Sequence, residues 1–513
     1  MSYLKKSLEL ITHRVFALGV LIFLQAVALV VMIWRFNDYF VFFYAICILI
    51  SLSVVLWMVN NRSHPAYKLA WTIAIMLFPI FGGFFYLFFG ANRLSRRMKN
   101  KMGKVTKEMA DALPIISEVF TNLQQENMTA FRQAYYIANY SYNPIYKNTL
   151  TEFLPSGEKK FARMLEELEK AQRYIFLEYF IIQPGKMWDG ILSVLVAKAQ
   201  QGLEVRVIYD DVGCILKLPP KYNETLEEMG IKCSVFNPVL PILTSRLNNR
   251  DHRKICVIDG RVGFTGGINL ANEYINAVEK HGHWRDTAIM LKGEAVFSLT
   301  AMFLSVWDYL RDIKEDYLLF RPQETFPPAY DDGYVQPFAD NPLDDEPVGQ
   351  TVYLNLITKA EDYLYINTPY LIIDDEISTA LCAAAKSGVD VRIMTPHIAD
   401  KWYVHAQTQS YYEVLLESGV KIYEYTPGFN HAKTFVVDDK YGVVGTINLD
   451  YRSLYLHFEC GVWLYRTKSV LEIKEDFLKT LEVGTSISLY DCYQISWYRR
   501  LGRSILRAFA PLM

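Results

Sequence analysis

The sequence predicts an α/β protein made of two similar sandwich halves, with an apolar helical region at its N-terminus. Two observations predict the halves: a short polar motif occurs twice, and the segments that precede each copy also match each other. Three long runs without charge predict the N-terminal region. We expect the two halves to form one active site between them.

The repeated motif has the pattern H-x-K-x4-D-x6-G-[GT]-x-N. Its members are His252, Lys254, Asp259 and Asn269 in the first copy, and His431, Lys433, Asp438 and Asn448 in the second. Because side chains alternate along a strand, each His and Lys are expected to share one strand face, and the apolar run before each Asp predicts a strand buried on both sides. Two imidazoles and two ammonium groups are therefore expected to converge on one anion.

Such a set of groups suits phosphodiester transfer without a metal, and we expect no cofactor. A diester gains negative charge on its equatorial oxygens as a nucleophile adds, so fixed lysines stabilise the transition state more than the ground state. Imidazole has an unperturbed pKa of about 6.5 and serves as nucleophile or acid near neutral pH. A single His-x-Lys is ordinarily a solvated pair on a strand edge, whereas two copies with identical spacing favour a catalytic site.

The repeat extends upstream of the motif through three matched pairs of segments. They centre on Tyr174 and Tyr363, on Gly202 and Gly388, and on Gly230 and Gly419. The first pair predicts a strand that opens each half, and the other two predict a helix that ends at Gly before a strand begins. Helices that alternate with short β-branched strands predict an α/β sandwich in each half.

Three further segments complete the predicted organisation of the two halves. Extra residues Pro238–Arg250 precede the first motif and form either a loop that gates the site or a plain surface excursion. A stretch rich in turn formers and acids predicts a linker over 326–350, between a first half at 151–325 and a second at 351–513. The C-terminal segment Trp497–Pro511 is amphipathic, and it lies on a membrane surface or packs on the second half with its arginines in water.

The N-terminal region contains three charge-free runs, Val15–Trp34, Tyr39–Asn61 and Leu69–Asn92. A bilayer span needs roughly 20 predominantly apolar residues, so each run is long enough. The third run contains Pro79 and a pair of glycines, which also suit a re-entrant segment. We predict a transmembrane region of about three spans over residues 1–92.

A basic juxtamembrane linker is predicted over residues 93–150. Its cations are Arg93, Arg96, Arg97, Lys99, Lys101 and Lys104. The positive-inside tendency places this linker and the catalytic part in the cytoplasm, with the protein a multi-pass protein of the cell membrane. Lys5, Lys6 and Arg14 favour the opposite orientation.

Composition agrees with a membrane enzyme that acts on lipid. The net charge of -2 argues against a dedicated nucleic-acid binder, which is usually strongly basic. The 35 Tyr and 30 Phe suit a lipid interface because aromatic rings are amphipathic or apolar. Seven cysteines without a C-x-x-C pair predict a reducing compartment.

At its duplicated motif the chain resembles the phospholipase D superfamily. The resemblance implies one active site between the halves, a phosphohistidine intermediate, and contacts from Asn269 and Asn448 to the substrate phosphate. It also implies a carboxylate downstream of each motif, where Asp286 and Glu459 stand at suitable distances and would each hold the far ring nitrogen of its His. The motif aspartates Asp259 and Asp438 are interpreted as structural partners. The resemblance implies that His252 is the nucleophile, as in the family's usual assignment. Because the two motif copies are alike, the sequence alone does not distinguish His252 from His431 in this role.

Within this superfamily, residues 66–513 resemble the bacterial cardiolipin synthases. The segments that carry the resemblance are Ala66–Trp71, Pro79–Gly90, Asn249–Lys254, Tyr411–Tyr425 and Gly445–Ser453. Two departures stand out: His457 stands where Asn is expected, and the run Val15–Trp34 adds a span. The resemblance implies transfer of a phosphatidyl group between two phosphatidylglycerol molecules, which gives cardiolipin and glycerol.

Other activities use the same residues. A phospholipase D-type hydrolase or a phosphatidylserine synthase would differ only in the acceptor, so product analysis must separate them. A nuclease would share the motif, but the apolar runs and the near-neutral charge disfavour it. A membrane scaffold with a decayed site is disfavoured because both motifs are complete.

Overall fold

The computed structural model describes residues 40–61, 64–78, 82–90, 96–239, 248–323, 326–327, 331–344 and 346–512, with isolated positions between 23 and 35. The chain divides into two compact units. One contains the described residues of 1–96, 237–249 and 508–513, and the other contains residues 97–236 and 250–507. The predicted loop Pro238–Arg250 lies mostly outside the described residues.

The described residues of the first unit are mainly helical. The elements are α1 Phe40–Asn60, α2 Pro65–Leu77, α3 Gly82–Phe85, a π-helix Tyr86–Gly90 and a C-terminal 3₁₀ turn Ala510–Leu512. Met58, Ile75 and Tyr86 form part of a small core, and the ring of Trp71 packs edge-on against Tyr86 at 5.2 Å between centroids. Ala510–Leu512 packs against α2. The third predicted run is therefore divided between α2, α3 and the π-helix.

Among the residues that the structure describes, no helix is both long enough and apolar enough to cross a bilayer. Most of the first predicted run, Val15–Trp34, lies outside the described residues. The transmembrane region stays a prediction.

The second unit is built on one large sheet. The first half of the chain gives β1 Tyr146–Leu154, β2 Tyr174–Tyr179, β3 Glu204–Asp210, β4 Lys232–Phe236, β5 Lys254–Ile258, β6 Val262–Gly266, β7 His283–Arg285 and β8 Ala288–Gly293. The second half gives β9 Asp331–Asp340, β10 Tyr363–Asn367, β11 Leu371–Ile372, β12 Asp390–Pro396, β13 Lys421–Tyr425, β14 Gly428–Asn430, β15 Thr434–Val437, β16 Tyr441–Gly445, β17 Leu449–Asp450, β18 Glu459–Tyr465 and β19 Gly484–Ile487.

The order of the strands repeats about the middle of the sheet. Fifteen strands form the order β4-β3-β2-β5-β6-β8-β1-β9-β18-β16-β15-β10-β12-β13-β19, in which the central pair β1 and β9 is antiparallel. On each side the opening strand, β2 or β10, pairs parallel with the next strand of the repeat and antiparallel with the motif strand, β5 or β15. The prediction of two similar α/β halves is confirmed, and the halves share one sheet.

Helices cover the sheet. Those up to the end of the first half are α4 Arg96–Ala112, α5 Ser117–Glu126, α6 Met128–Tyr140, α7 Gly157–Glu169, α8 Lys186–Gln200, α9 Asp211–Cys214, α10 Tyr222–Glu228 and α11 Val296–Arg311. Those of the second half are α12 Val348–Lys359, α13 Asp375–Lys386, α14 Trp402–Ser410, α15 Tyr412–Glu417, α16 Tyr451–Tyr455, α17 Lys468–Leu481, α18 Leu489–Tyr493 and α19 Trp497–Ala508. In the first half, Leu177 of β2 and Trp188 and Ile191 of α8 belong to one fully buried core.

The predicted helix-glycine-strand units are confirmed. Gly202, Gly230, Gly388 and Gly419 have φ between 86° and 98°, a left-handed conformation that glycine adopts without steric cost. Each of these glycines therefore ends its helix and turns the chain into the next parallel strand.

The stretch predicted as a linker, 326–350, contains the central strand β9. Val335 and Phe338 of β9 are fully buried, and so is Gln336. The amide nitrogen of Gln336 donates to the carbonyls of Ala134 at 3.1 Å and Asn143 at 2.8 Å, which satisfies its N–H groups inside the sheet, whereas its Oε1 has no hydrogen-bond partner among the described residues. Acidic residues and turn formers flank β9, so the sequence pattern indicates a linker and not a strand. The described part of the predicted basic linker, residues 96–150, contains α4 to α6 and the start of β1.

Candidate active site

The motif histidines lie just before the first residues of the two motif strands. β5 begins at Lys254 and β15 at Thr434, so each His precedes its strand, and the sharing of one strand face by His and Lys stays a prediction. The strands themselves are buried along their whole length, as the apolar runs predict. A backbone bond fixes each His instead: the N–H of His252 donates to Phe458 at 2.9 Å, and that of His431 donates to Arg285 at 2.6 Å.

Each motif His is bonded to the carboxylate that follows the other motif. Nδ1 of His252 lies 2.9 and 3.0 Å from the two carboxylate oxygens of Glu459. Nδ1 of His431 lies 2.6 Å from Oδ2 of Asp286. Both carboxylates are fully buried. Each half thus supplies one His and orients the His of the other half.

Short pairings between the halves explain this exchange. β7, which ends next to Asp286, pairs parallel with β14, which ends next to His431. On the other side, a parallel bridge joins Asp251 to Phe458, one residue before His252 and Glu459 respectively. In both places the segments that lead into a His and into a carboxylate run side by side across the boundary between the halves.

The carboxylates fix the tautomer of both rings. An ionised carboxylate only accepts hydrogen bonds, so Nδ1 of His252 and of His431 must each donate a proton to it. Nε2 of each neutral ring then carries a lone pair. Two nucleophilic nitrogen atoms are therefore available in the same site.

Burial controls the protonation of the two histidines. It lowers the pKa of His252 to about 3, an effect larger than the opposing one from the charge of Glu459. Burial also lowers the pKa of His431 to about 4, reinforced by the charge of Lys433. Burial alone would raise the pKa of Glu459, but His252 holds it below its ordinary value. Both imidazoles are therefore neutral near pH 7 in the ligand-free site.

The motif lysines are fully buried beside the histidines. Nζ of Lys254 donates to the carbonyl of His252, and Nζ of Lys433 donates to the carbonyl of His431 at 2.5 Å. Burial lowers the pKa of Lys254 to about 8 and that of Lys433 to about 7. A bound phosphate diester would supply the negative charge that stabilises both ammonium groups.

The motif asparagines differ between the halves. The carbonyl of Asn269 accepts from the N–H of Ile181 at 3.0 Å, and its amide donates to the hydroxyl of Tyr274 at 2.7 Å. Asn448 is also buried, but its Oδ1 has no hydrogen-bond partner among the described residues. The side chain of Asn269 is thus held inside the first half, whereas that of Asn448 has an unused acceptor.

The motif aspartates hold the opening strands. The carboxylate of Asp259 accepts three backbone N–H groups, from residues 172, 173 and 174, at 2.7 to 2.9 Å. Asp438 accepts the equivalent three, from residues 361, 362 and 363, at 2.8 to 2.9 Å. These contacts agree with the structural interpretation of both residues, because they tie each motif strand to the start of β2 or β10.

Aromatic rings surround the site unequally. The ring of His252 lies 5.1 Å from Phe180 and 5.6 Å from His457. The ring of His431 lies 5.7 Å from Tyr274, 5.5 Å from Trp284 and 5.8 Å from Phe429. Apart from His457, sequence reasoning missed these aromatic residues, because nothing in a single sequence distinguishes them from core aromatics.

Lys160 is a second residue that the sequence reasoning missed. It is fully buried in α7 and donates to the carbonyl of Ile268, one residue before Asn269, at 2.9 Å. Burial lowers its pKa to about 7. A lysine on an amphipathic helix is ordinarily solvated, so only the fold reveals that this one faces the site.

One group near the site has the ligand types of a metal centre. His252, His457 and Glu459 offer ligand atoms that all lie within 4.8 Å of one another. Nδ1 of His457 lies 3.8 Å from Glu459, beyond hydrogen-bond length. The carboxylate of Glu459 already accepts from His252 and from the hydroxyl of Thr446.

Comparisons with known proteins agree with this geometry. The family model described as "Cardiolipin synthase, PLD-like domain" matches residues 164–307 and 353–481, and the one described as "Phospholipase_D-nuclease N-terminal" matches residues 42–90. The first match includes both motifs and both carboxylates. The second falls on the apolar helices of the first unit.

Several relatives match over nearly their whole length. A cardiolipin synthase of Halalkalibacterium halodurans is 36% identical over 481 residues, covering 91% of this chain and 94% of the relative. A cardiolipin synthase of a Geobacillus species is 37% identical over 519 residues, covering 97% and 99%. An uncharacterized protein of Streptococcus mutans is 43% identical over 461 residues, covering 90% and 99%.

A solved structure shows the same fold. The phosphatidylserine synthase of Haemophilus influenzae superposes with a TM-score of 0.55 at 15% identity, covering 74% of this chain and 97% of that chain. At this identity the likeness concerns the fold alone. The matches to the two family models and the similarity to the relatives together identify the family. The chain belongs to the cardiolipin synthase family of phospholipase D-like proteins.

Proposed function

We propose that the protein transfers a phosphatidyl group from one phosphatidylglycerol to the hydroxyl of a second, which gives cardiolipin and glycerol. The observation that carries the proposal is the pair of buried neutral imidazoles, each held at Nδ1 by a carboxylate of the other half and each beside a buried lysine. Relatives that share about 36–37% of the sequence over most of the chain are cardiolipin synthases.

The first half-reaction forms a bond between His252 and phosphorus. Nε2 of His252 attacks the phosphorus of the first lipid, and the bond from phosphorus to the glycerol headgroup breaks. The departing glycerol oxygen takes a proton from Nε2 of His431. His431 therefore has to bind that proton before the step, which the negative diester and Asp286 favour once the lipid is in place.

The second half-reaction reverses the roles. The hydroxyl of the second phosphatidylglycerol gives its proton to Nε2 of His431, and its oxygen attacks the phosphorus on His252. The bond between phosphorus and nitrogen breaks, and His252 returns to its neutral form. Cardiolipin leaves, and His431 again carries the proton that the next cycle needs.

The lysines and asparagines stabilise the phosphorus centre. Lys254 and Lys433 place two positive charges where negative charge develops on the equatorial oxygens, in a site that burial keeps at a low dielectric. We assign Asn448 a direct contact with the phosphate or the headgroup, since its side chain has an unused acceptor. Asn269 would have to release Tyr274 or Ile181 before it contacts substrate in the same way.

Exclusion of water separates a transferase from a hydrolase. Water competes with the lipid hydroxyl for the phosphohistidine, so the site has to be closed while that intermediate exists. Both histidines are already less than a tenth exposed, and three aromatic rings surround His431. A lipid chain in the remaining opening would complete the closure.

The membrane placement belongs to the same proposal. Residues 1–92 form a multi-pass membrane region, and the catalytic part lies in the cytoplasm. The three charge-free runs support this placement, as does the basic segment with Lys99, Lys101 and Lys104. The match of residues 42–90 to an N-terminal family region lies in the same part of the chain.

Product analysis tests the proposal. Purified full-length protein is incubated with phosphatidylglycerol alone, and the lipid and water-soluble products are identified. We expect cardiolipin and glycerol in equal amounts, and no cardiolipin from the His252→Ala variant. Phosphatidic acid as the main product would instead identify a hydrolase and contradict the proposal.

A further inference from the structure

The C-terminal helix α19 separates charge from apolar surface. At 100° per residue, Trp497, Leu501, Ile505 and Tyr498 fall within one arc of about 100°. The four arginines occupy the opposite side, at positions 499, 500, 503 and 507, and the helix has no acidic residue. The helix is therefore strongly amphipathic.

The arginine side of α19 is the side that faces the protein. Arg507 donates to the carbonyl of Ser410 at 3.3 Å and lies over the ring of Tyr411 at 4.3 Å. Arg503 donates to the side chain of Gln409. The carbonyl of Leu506 accepts from Gln407 at 2.8 Å. These contacts attach the polar side of the helix to α14 and the start of α15.

The apolar side of α19 faces away from the protein. Trp497 is 76% exposed, Leu501 54% and Ile505 52%. A surface helix of a water-soluble domain has the reverse arrangement, with its apolar stripe on the core and its charges in water. The orientation of α19 therefore requires an apolar environment on its outer side.

The chain leads from α19 directly into the first unit. Ala510 and Pro511 are buried, and the turn Ala510–Leu512 packs against α2. The proposal below rests on the proposed membrane placement of residues 1–92, whereas the observations on α19 do not depend on it.

Charge identifies the kind of surface. Arg499 and Arg500 are exposed and flank the apolar arc on its two sides, where the headgroups of an inserted helix lie. Arg500 is also 3.5 Å from Glu413, whereas Arg503 and Arg507 contact neutral groups. The helix keeps a positive charge around its apolar face, which is complementary to anionic phospholipid.

We propose that α19 docks on the membrane as an interfacial helix, with Trp497, Leu501 and Ile505 inserted among anionic lipids. The docking holds the second half of the catalytic unit at the leaflet from which lipid substrate enters. Aromatic and aliphatic side chains at the insertion level, with arginines at the headgroups, are the arrangement that interfacial helices use.

Photocrosslinking tests the docking without reference to catalysis. A benzophenone amino acid replaces Leu501 in the full-length protein, and Leu471 serves as the matched control, because it is a leucine of α17 in the same half and is 47% exposed. Both variants are irradiated in phosphatidylglycerol vesicles and in intact membranes. We expect lipid adducts at position 501 at least tenfold more abundant than at position 471.

Other adducts would overturn the proposal. A crosslink from position 501 to a second copy of the chain or to another protein would identify a protein interface. Equal lipid labelling at the two positions, or no lipid adduct at position 501, would show that the face does not enter the bilayer. Because the readout is a mass shift, the result stands even if the proposed transfer activity fails its own test.

Kinetics provide a second measurement. The double variant Leu501→Ser with Ile505→Ser is compared with Leu471→Ser, on phosphatidylglycerol diluted in vesicles of neutral lipid. We expect the double variant to raise the apparent KM, as a surface fraction of lipid, by about tenfold with kcat unchanged, and the control to change neither. A loss of kcat at constant KM, or the same effect from the control, would contradict docking.

Discussion

The two halves of the catalytic unit have the same strand order and the same motif but different surroundings for their histidines. His252 is held by both oxygens of Glu459 and has Phe180 and His457 beside it. His431 is held by a single oxygen of Asp286, and three aromatic rings lie around it. Because each His takes its partner from the other half, sequence differences between the halves can give the two copies of the motif different roles.

The lysines and asparagines extend the contrast. Lys433 lies 2.9 Å from Nδ1 of its own His, whereas Lys254 contacts only the carbonyl of its own His. Both side-chain polar atoms of Asn269 form hydrogen bonds within the first half, whereas Oδ1 of Asn448 has no hydrogen-bond partner among the described residues. The scaffold is symmetric, and the proposed mechanism divides the chemistry, with the attacking group from the first half and the proton donor from the second.

Removal of either His has the largest expected effect. We expect His252→Ala and His431→Ala each to reduce turnover of phosphatidylglycerol on the order of a thousandfold or more, and the double variant to cost little beyond either single change. The reason is that residues which act in one site are non-additive. Steady-state turnover of the three variants measures this. If each half had its own site, each single variant would keep about half of the activity.

The carboxylates test the exchange between the halves. We expect Glu459→Gln and Asp286→Asn each to reduce turnover by about 10- to 100-fold, because an amide no longer fixes the proton on Nδ1. Glu459→Gln should impair the attack by His252, and Asp286→Asn the protonation by His431. A lipid with a nitrophenyl leaving group needs no proton, so it should restore activity to Asp286→Asn only. Restoration of Glu459→Gln instead would mean that each carboxylate serves the His of its own motif.

The pH dependence sharpens the comparison further. In the proposed mechanism His252 attacks in its neutral form, and its pKa of about 3 keeps it neutral at mildly acidic pH, so kcat/KM should show no acid limb from pH 7 down to about pH 5. Lys433 acts in its charged form, and its pKa of about 7 predicts a fall in kcat/KM as pH rises through 7. In Lys433→Arg the charge persists, so the alkaline fall should move toward pH 8, the pKa of Lys254. An acid limb near pH 6.5, or an alkaline limb that Lys433→Arg leaves in place, would contradict these assignments.

Chelation should have the smallest effect. Two lysines and a proton-donating imidazole supply the charge stabilisation and the proton, so we expect full activity in excess chelator. The control is His457→Asn, which removes one of the three possible metal ligands His252, His457 and Glu459. Its activity should also be unchanged by chelator. Activity that chelator abolishes and a divalent ion restores would disprove the metal-free mechanism.

Much of the fold of the catalytic unit could be predicted because local sequence patterns indicate its helices and strands. Gly202 and Gly388 each end a helix in a left-handed conformation. The apolar runs after Lys254 and Lys433 predict buried strands, which the structure contains. The central strand β9 could not be predicted, because the amide N–H groups of Gln336 donate to carbonyls that only the fold brings to them. A polar residue with distant partners looks like a linker residue.

The members of the candidate site could be named from the sequence, but their pairing could not. Asp286 and Glu459 stand downstream of the motifs, and sequence distance favours the nearer His in each case. Only the parallel pairing of β7 with β14 and the bridge from Asp251 to Phe458 reveal the exchange. Lys160 was missed for a related reason, since its burial depends on how α7 packs on the sheet.

The central claim is that His252 forms the covalent intermediate and His431 provides the proton. Its most direct test is the trapping of labelled phosphohistidine with a nitrophenyl phosphodiester lipid, followed by peptide mass spectrometry. We predict that His431→Ala forms the adduct on His252, because this leaving group needs no acid, and that His252→Ala forms none. Label on His431 in His252→Ala would reverse the assignment, and the absence of label from both variants would contradict the covalent mechanism.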